Sequence, residues 1–172
     1  MASGPRARID ETAHHRLATG ALAGVVFSTL GLISNVLRHP EQNWMHVAIG
    51  VQAVLCVAID WLTKRGRIAF ERVSLVGSVL FATGVIVTAW GYAETASITF
   101  VLVMGVLMIA VGILHLYRRW LYTNLVLALG VWVPVAFAMG STTIVLSLGC
   151  VAVLAVCVSE VATSYPVKRA SR

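Results

Sequence analysis

Charge is scarce in this sequence. Of its 172 residues only 12% are Asp, Glu, Lys or Arg, and 59% are apolar; a soluble domain carries roughly twice that density of charge. So few charges cannot solvate the outside of a globule, which excludes a soluble enzyme, a disordered tail and a nucleic-acid-binding domain. Cysteine is nearly absent too. Cys56, Cys150 and Cys157 all fall within apolar runs, where they read as small packing residues. Cys150 and Cys157 stand two helical turns apart, about 10 Å, too far to bridge, and no paired-cysteine metal or redox spacing occurs. Catalytic signatures are missing as well: there is no Gly-x-Ser-x-Gly, no His-Glu-x-x-His, no P-loop and no paired aspartates of the kind a lipid-head transferase needs. No enzymatic activity and no cofactor are expected. Haem is excluded because His46 and His115 sit near opposite ends of their runs, each without a second histidine on its helix.

What the sequence has is long apolar runs, and its mean hydropathy is +0.88. A helix crossing the hydrocarbon core needs about 20 mostly apolar residues. Six stretches qualify, at 17–37, 44–62, 73–92, 96–117, 121–139 and 142–163. They lack the polar alternation of barrel strands and are about twice as long as such strands need to be. The expected fold is therefore all-α, a polytopic membrane protein of six transmembrane helices between a short tail at 1–16 and a basic tail at 164–172. The run at 17–37 is too long for a signal-peptide core and reads as a permanent first helix.

Basic residues orient the bundle. Arg6, Arg8, Arg16, Lys64, Arg65, Arg67, Arg72, Arg118, Arg119, Lys168, Arg169 and Arg172 fall on segments that share one side, leaving only Arg38 for the other. Cytoplasmic loops collect Lys and Arg, so both termini are expected in the cytoplasm and the membrane is expected to be the plasma or bacterial inner membrane. Trp44, Trp90 and Tyr92 fall at outer span ends, and Trp61, Tyr117, Trp120, Tyr122 and Tyr165 at inner ones, where amphipathic rings favour the headgroup level. Only Trp132 is mid-span. The net charge is +6. Because its cations hug the span ends, the expected partner is anionic cytoplasmic lipid rather than nucleic acid.

The six runs group into three helical hairpins. Gly50, Gly105 and Gly149 recur in the even runs, each followed ten or eleven residues later by a titratable group: Asp60, His115 and Glu160. The odd runs carry glycines two turns apart, Gly24 and Gly31 in the first and Gly77, Gly84 and Gly91 in the third. The first adds Gly20-x-x-x-Gly24. These are expected helix-packing positions, since a missing side chain lets a neighbouring helix approach. With Gly24-x6-Gly31 followed by Pro40, Gly77-x6-Gly84, and Gly105 leading to Gly112-Ile113, the chain resembles the HdeD-type small bacterial membrane proteins associated with acid resistance. The resemblance implies the same three-hairpin architecture and supplies no catalytic residues. The second and third hairpins lack an outer Pro, and the fifth run, with Gly130 and Gly140, lacks the glycine pair.

Ionisable groups inside a span are costly unless compensated and are the first functional suspects. Glu160, eight residues before Lys168, is a candidate proton acceptor, because a low-dielectric site disfavours the charged carboxylate; Pro166 is expected to end that helix sooner. Asp60 stands one turn before Lys64, so an i,i+4 pair is available. His115, beside Arg118 and Arg119, is the natural pH-responsive residue. If the hairpins repeat, these three share one depth and form a proton- or cation-responsive site at the cytoplasmic mouth. Pro134 removes a hydrogen bond to the Gly130 carbonyl and is expected to kink the fifth helix beside Trp132, making Gly130, Trp132 and Pro134 a candidate hinge. Gln52 is expected to hydrogen-bond between helices.

The expected function is that of a non-enzymatic membrane component for stress response, sensing or assembly, working as a homo-oligomer or with a partner membrane protein. The alternative is a small-solute, proton or cation transporter, or the substrate-binding membrane subunit of an importer.

Overall fold

A computed structural model describes the backbone of residues 5–114 and 118–170, with side chains described chiefly over 14–69, 71–112 and 119–161. Within these residues the chain is all-helical: α1 (Pro5–Arg38), α2 (Asn43–Lys64), α3 (Phe70–Thr95), α4 (Ile98–Leu114), α5 (Arg118–Ala138) and α6 (Thr142–Ala170). Five stretches, His14–Arg38, Asn43–Lys64, Glu71–Thr95, Arg119–Ala138 and Thr142–Val161, are long and apolar enough to cross a membrane. α4 is equally apolar but covers 17 residues, and 115–117, where the fourth run would end, lie outside the described residues.

Two helices outrun the apolar segments that define them. α1 starts at Pro5, the first-turn position where proline's missing N–H costs nothing. α6 continues through Pro166 to Ala170, against the expectation that this proline ends the helix. A proline forfeits a single backbone bond, and here it falls in the last turns, where little helix remains to be disrupted.

The outside of the chain is far more apolar than a soluble protein's. Leu37 (78% exposed), Leu146 (72%) and Val126 (70%) stand on the outside, whereas Asn35, Ser78, Thr88, Asn124 and Ser159 are buried. Apolar exposure of this extent is stable only against an apolar solvent. The chain is a helical membrane protein.

Two compact units divide the chain, residues 1–80 and 81–172, with the boundary inside α3. In the first, α1 packs along α2. A Cβ at Gly24 would lie 2.6 Å from the Cys56 Sγ, so glycine there lets α1 approach the buried Cys56, while a Cβ at Gly31 would meet nothing within 4 Å. Gln52 Nε2 donates to the Leu80 carbonyl (3.2 Å), the interhelical bond expected of it.

In the second unit α6 packs against α4 and α5. Its core joins Phe81, Val85, Ala89 and Tyr92 of α3 to Met104, Met108, Leu125, Trp132, Leu148 and Ala155. A Cβ at Gly112 would run into the Ala155 carbonyl oxygen, and one at Gly91 into the Phe100 ring. Both glycines therefore sit where a neighbour leaves no room for a methyl group. Thr88 Oγ1 shares its proton between the Gly84 and Val85 carbonyls (2.9 and 3.0 Å), so this buried hydroxyl is satisfied within its own helix.

Turn chemistry fixes both ends of the tight connections. At α2, Gly66 N–H bonds to Thr63 O (3.0 Å) and Arg67 N–H to Leu62 O (3.0 Å), with Gly66 at φ +64°. At α5, Gly140 N–H bonds to Phe137 O (2.9 Å) and Ser141 N–H to Ala136 O (2.9 Å), with Gly140 at φ +68°. Each is a complete Schellman motif, in which a left-handed glycine satisfies carbonyls that the helix end leaves open.

Candidate functional site

The best-defined group of chemistry-bearing side chains lies at the end of α2, in the first unit. Asp60 and Lys64 are one turn apart, and Lys64 Nζ donates to Asp60 Oδ2 at 2.7 Å. The lysine side chain is 64% exposed and the aspartate 17%, so the pair is anchored from the buried side. The second carboxylate oxygen, Oδ1, is buried with no hydrogen-bond partner among the described residues. Asp60 is therefore half-satisfied: one oxygen is held by a cation and the other is stripped of solvent, a costly state for a charged group.

Packing around this pair is specific. Thr63, next in sequence to Lys64, is buried and its hydroxyl donates to the Ile59 carbonyl (2.6 Å). Arg65 lies over the Trp61 ring, its guanidinium carbon 4.3 Å from the centroid. Beyond the Gly66 turn, Ile68 is buried and its carbonyl accepts a hydrogen bond from His14 Nε2 of α1 (2.8 Å). A carbonyl can only accept, so Nε2 carries the proton. The turn is thus tied to α1 as well as to α2.

The other expected site residues are placed as follows. Glu160 belongs to the second unit and is exposed on α6, beside the buried Ser159. His115 lies outside the described residues. Asp60 and Glu160 thus belong to different units. Among the described residues no three His, Cys, Asp or Glu side chains come together as a metal site.

Of the candidate hinge residues, Pro134 and Gly130 are exposed and α5 runs through both to Ala138. Trp132 is fully buried and stacks on Tyr92, with ring centroids 5.4 Å apart and planes at 29°. The Tyr92 hydroxyl in turn hydrogen-bonds the Ser141 hydroxyl (3.0 Å). Trp132 is therefore a core residue of the second unit, with its indole N–H unpartnered among the described residues.

Sequence reasoning passed over a second polar group. At the opposite end of the α1–α2 pair, Asn35 Nδ2, Gln42 Oε1 and His46 Nε2 are buried without partners among the described residues. The available signal was a polar side chain, Asn35, inside an otherwise apolar run. Comparison with protein-family models, with curated proteins and with solved structures finds no match for the chain.

Proposed function

We propose that this chain is a non-enzymatic, multi-pass membrane component of the sensing or assembly kind, with both ends in the cytoplasm, that responds to protons at the inner end of its helices. The observation that carries this reading is the divided environment of Asp60. One oxygen is bound to Lys64 at 2.7 Å, and the other is buried without a partner. Protonating such a carboxyl would remove the charge that holds Lys64. The other charged or titratable side chains described at this end are His14, His15 and Arg16 on α1, Arg65 and Arg67 of the Gly66 turn, and Glu71 and Arg72 in the first turn of α3.

Glu160 and His115 join Asp60 in the proposed responsive set on the strength of their matching positions in the sequence. The glycine spacing shared with HdeD-type proteins fits a role in stress response, and a homo-oligomer or a partner membrane protein would carry the output.

The test is a titration of the purified chain from pH 5 to pH 8, following tryptophan fluorescence, since Trp61 is next in sequence to Asp60 and carries Arg65 over its ring. Parent protein should show a transition that at least one of His115→Ala, Glu160→Gln and Asp60→Asn alters. Superimposable curves for the parent and all three variants would end the proton-responsive reading. Proton or solute flux in liposomes would replace sensing by transport.

A further inference from the structure

The end of α2 is built to hold more than its own ion pair. Lys64 is occupied by Asp60, which leaves Arg65 and Arg67 as the exposed cations of the Gly66 turn, with Arg72 exposed in the first turns of α3. Arg65 stacks its guanidinium face on Trp61. Stacking uses the face of that group and leaves its in-plane N–H fork free for a planar or tetrahedral oxyanion. The turn beneath is rigid: its Schellman bonds, the buried Ile68 and the His14 bond to Ile68 O fix where the two arginines are presented.

An apolar track leads to that cation. Val47, Val51, Val54, Ala58, Trp61 and Arg65 follow one another at alternating spacings of four and three, so they share one face of α2. All are exposed, Val47 at 65%, Val54 at 67% and Trp61 at 51%. From Val47 to Trp61 the track runs about 21 Å, longer than the roughly 15 Å half-thickness of the hydrocarbon core. Hydrocarbon contact, then an aromatic ring, then a stacked arginine is the order of a lipid's own parts: acyl chain, interface and phosphate.

We propose that this face of α2 is a binding site for one anionic phospholipid, with an acyl chain along Val47–Trp61 and the headgroup phosphate held by Arg65 and Arg67. The inference goes beyond the sensing reading. It rests only on the chain lying in a bilayer, and it stands whether or not Asp60 titrates.

The experiment is intact-complex mass spectrometry of the full chain in a neutral maltoside micelle, titrated with phosphatidylglycerol, phosphatidylcholine or inorganic phosphate. Phosphatidylglycerol should be retained over phosphatidylcholine by about tenfold, and inorganic phosphate should not be retained. Arg65→Gln and Arg67→Gln should each lower phosphatidylglycerol retention roughly five-fold. The Arg67 side chain makes no hydrogen bond holding the turn among the described residues, so its variant keeps the test valid if Arg65→Gln misfolds. Arg119→Gln, removing an exposed cation of α5, should leave retention unchanged. An equal loss from Arg119→Gln, equal retention of phosphatidylcholine, or binding of inorganic phosphate would overturn the site.

Discussion

Gly24 and Cys56 meet where α1 and α2 leave no room for a methyl group: a Cβ on Gly24 would stand 2.6 Å from the Cys56 Sγ. Gly24→Ala should therefore destabilise the first unit, by about 1–3 kcal/mol, the usual cost of overpacking. The obstacle is a single sulfur atom. Combining Gly24→Ala with Cys56→Ala should cost less than the sum of the two single substitutions, because each relieves the other. Thermal unfolding of the four proteins in one detergent checks this; strict additivity would separate the two residues.

Gly112 poses a harder constraint, since its neighbour is the backbone oxygen of Ala155 and not a side chain. No rotamer change can yield space, so Gly112→Ala must push α4 away from α6. Gly31, with nothing within 4 Å, is the control. Gly112→Ala should lower the melting temperature by several degrees, and Gly31→Ala should leave it within a degree or raise it. Equal effects would show that the α4–α6 approach is looser than described.

Trp132 carries much of the second unit's core. Trp132→Ala should cost about 3–5 kcal/mol, whereas Tyr92→Phe keeps the stack and loses only the bond to Ser141, about 1 kcal/mol. Pro134→Ala restores a helix N–H and should change stability little, because α5 is already continuous through that position. Chemical denaturation in mixed micelles orders the three; a larger loss for Pro134→Ala than for Trp132→Ala would contradict this ordering.

Ala96 connects α3 to α4 at φ +50°, a left-handed conformation that costs a residue with a Cβ about 1–2 kcal/mol. Ala96→Gly should stabilise the connection by somewhat less than this, because glycine also gains freedom in the unfolded chain. A drop in melting temperature would mean that the turn is not strained.

The helices were legible in the sequence because hydropathy over twenty residues is a strong signal: five of the six expected runs fall on helices of membrane length, and the fourth falls on α4. Helix ends were less so: Pro5 and Pro166 lie in polar tails where apolar patterning carries no information. Which face of each helix packs was the hardest to read. Apolar residues surround α3 to α6 on all sides, so nothing in the pattern separates the buried Trp132 from the exposed Val126, or Gly112 from Gly149. Gly24 was found by its spacing, yet the same spacing put weight on Gly31, which touches nothing. At the candidate site the Asp60–Lys64 pair followed from i,i+4 geometry. The Arg65–Trp61 stack and the His14 tether to Ile68 depend on the turn at Gly66 and on α1 packing, which no local pattern encodes.

An even number of crossings is the claim on which the remaining readings depend, and labelling the two ends tests it most directly. Epitope tags placed before Met1 and after Arg172 are exposed to an impermeant antibody in sealed, inside-out vesicles. Both tags accessible from the cytoplasmic side is the predicted result. One tag accessible and the other protected would contradict it.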